Sequence, residues 1–130
     1  EQQRNTEEDS AARGRLVRMV ALAEMLRADL VAGTVDTLGD MLHEAWCLKK
    51  GLASGVSSDA IDAMYDAGRR AGATGGKVLG AGGGGFIVFD VPEEKQAAVA
   101  SALSDLRRVP IAFEPHGTRT LYYQDEGAMA

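Results

Sequence analysis

Residues 80–85 read Gly80-Ala81-Gly82-Gly83-Gly84-Gly85, a stretch of backbone almost without side chains. Glycine loses more conformational freedom on ordering than any other residue, and a two-residue hairpin turn needs only one or two positive φ angles. So many glycines in a row make sense where another backbone or a ligand must approach closely, or where successive N–H groups curl into an anion-binding nest. A phosphate fits that chemistry; a flexible connector is the plain alternative. The run also matches G-x-G-x-x-G, but a dinucleotide site needs a helix directly after the glycines, and Phe86-Ile87-Val88-Phe89 reads as a strand. Asp105, about twenty residues on, falls on a helical stretch instead of a strand tip. A Walker A loop fails too, because Phe86-Ile87 stands where Lys and Ser or Thr are required.

A second group lies upstream. His43, Trp46 and Lys50 fall at i, i+3 and i+7 and therefore share one helix face. An indole can stack on a sugar ring while Lys49 or Lys50 neutralises a phosphate; equally, Trp46 can be core and the lysines a solvated helix end that complements the C-terminal dipole. Lys77 precedes the glycine loop and faces either a cleft or solvent. His116 beside Gly117 reads as a turn residue, and Cys47 as a small apolar residue on a helix. No Ser/His/Asp grouping at a nucleophile elbow supports hydrolysis, and His43, His116 and the single cysteine do not make a zinc quartet, so no metal site is expected in this chain.

The elements that must position these residues change character near Thr74. Leu16, Val20, Ala23, Leu26 and Leu30 recur at helical spacing, as do Leu38, Leu42, Ala45, Leu48 and Leu52. Gly33 suits the C-terminal cap of the first helix and Thr34 the N-cap of the second. Ser57 or Ser58 can cap a third helix, with Asp59 and Asp62 in its first turn and Ile61, Met64, Tyr65 and Ala71 inward. Residues 77–79 and 86–91 read as strands on either side of the glycines. Pro92 then opens a fourth helix with Val99, Ala102, Leu103 and Leu106 in its stripe. Residues 109–114 and 118–123 read as closing strands joined by Pro115-His116-Gly117. The order is ααα-ββ-α-ββ: an α+β domain with its helices packed on one face of a mostly antiparallel four-stranded sheet.

The 130 residues are enough for one core and too few for two. With 14 basic against 19 acidic residues the net charge is −5, and no basic cluster longer than Arg107-Arg108 occurs, which argues against a nucleic-acid partner. The strongly apolar run 86–89 is far too short to span a bilayer, the amino terminus is polar, and one cysteine closes no intrachain disulfide; a reducing cytoplasm is expected. A first residue of Glu1 in place of Met raises the expectation of a piece of something longer.

The stretch 75–86, Gly-Gly-Lys-Val-Leu-Gly-Ala-Gly-Gly-Gly-Gly-Phe, closely resembles the third signature motif of the GHMP kinases, the superfamily of galactokinase, homoserine, mevalonate and phosphomevalonate kinases. Residues 42–50, Leu-His-Glu-Ala-Trp-Cys-Leu-Lys-Lys, and the closing 109–123 resemble the sugar-kinase branch that phosphorylates D-glycero-D-manno-heptose 7-phosphate at its anomeric hydroxyl. The resemblance covers nearly the whole chain and implies a ferredoxin-like carboxy-terminal domain over 1–130. The family's P-x-x-x-G-L-G-S-S loop, catalytic acid and most sugar contacts belong to an amino-terminal domain not found in these residues. The resemblance therefore implies ATP and Mg²⁺ handled mainly by that other domain, with Gly80, Ala81, Gly82, Gly83, Gly84 and Gly85 supporting the nucleotide phosphates and no catalytic residue here. It favours Trp46 and Lys49 as substrate contacts, beside which Lys77 is a third candidate from its place before the loop, and Arg119 resembles a basic position of the family's last strand. Partners are then the amino-terminal domain and a sugar phosphate, with no nucleic acid and no membrane. The alternatives are a stand-alone, non-catalytic module binding an anion or metabolite, and a structural dimerisation domain.

Overall fold

The computed structural model describes residues 2–80, 85–114 and 116–117, and side chains on the first helix from residue 9 onward. The elements are α1 (Gln2–Ala32), α2 (Leu38–Lys50), α3 (Asp59–Arg70), β1 (Gly75–Leu79), β2 (Phe86–Asp90), a single 3-10 turn (Glu93–Lys95) and α4 (Gln96–Ala102). The α+β class and the order of the first six regular elements agree with the sequence.

Helix ends follow from local chemistry. Gly33 (φ +76°) ends α1: its N–H donates to Leu30 O at 3.1 Å and that of Thr34 to Asp29 O at 2.8 Å, the paired bonds of a left-handed glycine cap. Thr34 is thus part of the α1 stop and not the cap of α2. The residue before α2 is Thr37, whose hydroxyl donates to the Asp29 carboxylate at 2.7 Å and so leaves the α2 amides to other partners. α3 starts as its sequence indicates, with Ser58 extended and its Oγ accepting from Ile61 N–H at 3.3 Å. It stops at Gly72 (φ +118°), where Gly72 and Ala73 N–H reach back to Arg69 O and Gly68 O.

β1 and β2 pair antiparallel, with Gly76 opposite Phe89, Lys77 opposite Val88, Val78 opposite Ile87 and Leu79 opposite Phe86. Directly opposed residues share a face, and Val78, Ile87 and Phe89 pack with Trp46, Ile61 and Tyr65 to form the core. α2 lies along β1 so closely that the backbones touch: a Cβ on Gly75 would stand 1.7 Å from Gly39 O. A Cβ on Gly39 would in turn meet Thr74 Oγ1 and the Asp90 carboxylate. Thr74 donates to Asp90, and this carboxylate sits by the first turn of α2, where negative charge complements the dipole.

Three packing expectations are corrected, and of the four expected strands two form among the described residues. Among the described residues the sheet has two strands: 109–114 lies in no ladder and leaves Ile111 and Phe113 exposed, while 118–123, with Arg119, falls outside the described residues. The leucine stripe of α2 is only half-buried, because contact with β1 turns Gly39, Met41 and Trp46 inward. On α1 the inward side chains are Met19, Leu22 and Leu26; Leu16, Val20, Ala23 and Leu30 are exposed. α4 is shorter than its apolar stripe: Val99 is buried, Leu103 half-buried and Leu106 exposed.

Candidate functional site

The glycine loop is carried at the tip of the β1–β2 hairpin. Its described ends, Gly80 (φ +111°) and Gly85 (φ +122°), both have backbone conformations that a side chain disfavours, and a Cβ on Gly85 would lie 2.2 Å from Leu79 O. Ala81, Gly82, Gly83 and Gly84 lie outside the described residues. The last strand pair below the loop, Leu79 and Phe86, is exposed on both sides, so the hairpin presents an apolar tip. Lys77 is half-buried opposite Val88, two residues before Leu79.

The α2 residues form a second cluster on the core side of the same hairpin. Trp46 is 1% exposed, tilted against Tyr65 with 6.2 Å between ring centroids, and Lys50 Nζ lies 5.8 Å from its ring centre. A ring covered this way offers no face to a sugar, so Trp46 acts by holding its neighbours. Its Nε1 is buried with no partner among the described residues. Lys50 donates to Asp62 at 3.0 Å, and Ser57 donates to the same carboxylate oxygen at 2.9 Å; the hydrogen bond from Lys50 holds Asp62 below the usual carboxylate range. Lys50 is therefore an ion-pair partner of α3, while Lys49 is half-buried and in no ion pair among the described residues.

Tyr65 joins the two clusters. Its hydroxyl donates to Gly76 O at 3.2 Å, which commits its proton, so His43 Nδ1, 2.8 Å away, carries the hydrogen of that second bond. The imidazole stacks on the phenol at 5.8 Å and 12°, and its Nε2 lies 3.8 Å from Cys47 Sγ. A chain thus runs from α2 through α3 to the strand that carries the glycine loop. Burial and then the positive charges of Arg69 and Lys50 push the His43 pKa below the ordinary imidazole value, against smaller opposite effects of Asp40 and Asp66. Burial pushes the Tyr65 phenol up. Because the folded state holds its His43 proton less tightly than the unfolded chain, stability is full above about pH 6.5 and falls as pH drops from there through the folded pKa. Melting curves between about pH 7 and 5 should show this decline in the native chain and its loss in His43→Gln.

Tyr65, Asp62 and the Thr74 and Asp90 pair were not marked as polar contacts by spacing, since each reaches across elements. A tyrosine on the buried face of an amphipathic helix is the one advance signal, because a buried hydroxyl needs a partner. His116 is exposed and bonded to Glu114 Oε1 at 2.9 Å, as a turn residue would be. Among the described residues no three carboxylate, imidazole or thiol groups converge, and no helix is long and apolar enough to cross a membrane.

The family model described as GHMP kinases C terminal matches residues 26–107, from the last turns of α1 to just beyond α4. The chain belongs to the GHMP kinases. This GHMP kinase domain is 37% identical over 79 residues to a D-glycero-alpha-D-manno-heptose 7-phosphate kinase of Campylobacter jejuni, covering 61% of this chain and 22% of that protein. It is 32% identical over 80 residues to a bifunctional fucokinase/GDP-fucose pyrophosphorylase of Arabidopsis thaliana, covering 62% of this chain and 8% of the relative. A mevalonate kinase of Thermococcus sibiricus is 44% identical over 59 residues, which is 45% of this chain and 17% of the kinase. The chain therefore spans less than a quarter of the length of the relatives it matches. As a GHMP kinase C-terminal domain, it carries the hairpin and its glycine loop inside the matched span.

Proposed function

We propose that this domain is the carboxy-terminal part of an ATP-dependent sugar or sugar-phosphate kinase, with a heptose 7-phosphate as substrate. The supporting observation is the hairpin whose glycine-rich loop opens and closes on positive-φ glycines, a loop almost without side chains on a strand that Tyr65 of α3 holds at Gly76. Such a loop fits a triphosphate, because backbone N–H groups approach the oxygens with a Cβ at Ala81 alone. Gly80, Ala81, Gly82, Gly83, Gly84 and Gly85 are assigned to that role, and Lys49 and Lys77 to charge neutralisation of substrate. Trp46 supports the helix that carries Lys49.

ATP supplies the phosphoryl group, and this chain's own residues orient its phosphates and exclude water around them. Phosphoryl transfer depends on positioning and charge stabilisation, so such a loop contributes without any covalent step. A magnesium ion finds no ligand cluster among the described residues, and no step is assigned to it here. The amino-terminal domain of the same polypeptide supplies the remaining groups in this reading, and the isolated chain does not turn over substrate.

Changing Gly83 and Gly84 together to Ala in the complete enzyme is expected to lower kcat/KM for ATP by about 100-fold or more, with the melting temperature of this domain unchanged. Assay against a heptose 7-phosphate, fucose and mevalonate tests the substrate. Full activity in the double variant would remove the loop from the phosphate site. Micromolar binding of ATP or a sugar phosphate by the isolated 130-residue chain, measured by calorimetry, would favour a self-sufficient binding module instead.

A further inference from the structure

Helix α1 packs against α2 with Met19, Leu22 and Leu26 turned inward, and a second apolar face beside that one is exposed. Leu16, Val20, Ala23, Arg27 and Leu30 are all exposed and follow one another at spacings of 4, 3, 4 and 3. That alternation is the heptad seam along which two helices supercoil. We propose that this face joins a second copy of the chain in an antiparallel, two-fold pair of α1 helices.

The arrangement of charge selects that occupant. Glu24 and Arg27 sit mid-seam with apolar residues on both sides, and neither is in an ion pair among the described residues. When two copies cross antiparallel with the two-fold axis level with Met25, Val20 faces Leu30 of the second copy and Ala23 faces Arg27. The small Ala23 leaves room for the aliphatic stem of that Arg27, whose guanidinium then lies beside Glu24 of the facing helix. Two-fold symmetry repeats each contact, so both charges are matched twice by one geometry. A parallel pair would instead set Arg27 against Arg27. The seam from Leu16 to Leu30 is only about 22 Å long, so the interface falls at the low end of specific areas and the association is weak.

Sedimentation equilibrium of the 130-residue chain between about 10 µM and 1 mM is the test. The mass is expected to rise from 13.7 kDa toward twice that value. Val20→Glu should abolish the rise, and Glu24→Arg or Arg27→Glu should each weaken association about tenfold. The double variant E24R/R27E should recover most of it. All three positions are exposed single-helix sites, so circular dichroism should show an unchanged fold. A monomer at every concentration, association that survives Val20→Glu, or a double variant no better than the single ones would each overturn the proposal.

Discussion

Gly75→Ala is expected to destabilise the domain by about 3 kcal/mol or more and to lower its melting temperature by about 10 °C. Gly75 is buried at the start of β1, and a methyl group there would stand 1.7 Å from Gly39 O, 2.5 Å from its carbonyl carbon and 3.0 Å from its Cα. All three are backbone atoms of α2, so no side chain can swing aside. Relief requires α2 to move off β1, and that movement would break several things at once. It opens the Trp46, Tyr65 and Val78 packing, and it draws Gly39 away from the Thr74 and Asp90 pair that complements the α2 dipole. Gly14→Ala is the matching control. A Cβ at Gly14 meets nothing within 4 Å on an exposed turn of α1, so the same methyl should stabilise by about 0.5–1 kcal/mol through helix propensity. Thermal unfolding of the two variants beside the native chain decides the matter: equal melting temperatures would show that α2 and β1 are not in backbone contact.

The same contact explains which parts of the fold were legible in the sequence. Ser58, Gly33 and Gly72 act within a few residues of themselves, so the chemistry of each position fixes where helices begin and end. Apolar spacing identifies a helix equally well, but it does not say which partner claims which face. In α1 the sets Leu16, Val20, Leu30 and Met19, Leu22, Leu26 are both helical stripes, and only the second meets α2. In α2 the close approach of Gly39 and Gly75 turns Trp46 fully inward and leaves the leucines at the margin. Residues 109–114 lie in no ladder among the described residues: Val109, Ile111 and Phe113 alternate as a strand face does, but a ladder needs a paired edge, and the expected partner 118–123 lies outside the described residues. For the candidate site, the glycine loop was plain from composition, whereas the chain of His43, Tyr65 and Gly76 spans 33 residues and leaves no local signature.

Gly85→Ala in the complete kinase separates the loop's geometry from the domain's stability. The position closes the loop at φ +122° and is exposed, with its virtual Cβ 2.2 Å from the last carbonyl of β1. A side chain here must either rotate the backbone toward negative φ or push Leu79 O aside, and both re-aim the amides of the loop. The core lies below, at Val78, Ile87 and Phe89, and is not reached by that adjustment. Melting temperature should therefore fall by only a few degrees, far less than for Gly75→Ala, while kcat/KM for ATP falls by about 100-fold, a loss of roughly 3 kcal/mol in transition-state stabilisation. The sugar-phosphate KM should change little, because the loop meets the nucleotide in this reading. A variant that loses activity only in proportion to its folded fraction would make the loop a connector. A variant that keeps its ATP parameters and loses affinity for the sugar phosphate would move the glycine loop to the acceptor side of the cleft. The contrast with Gly75 rests on a physical distinction: one glycine lets two backbones pack, and the other lets the chain leave the loop at positive φ, which in the proposed reading keeps the loop open for phosphate.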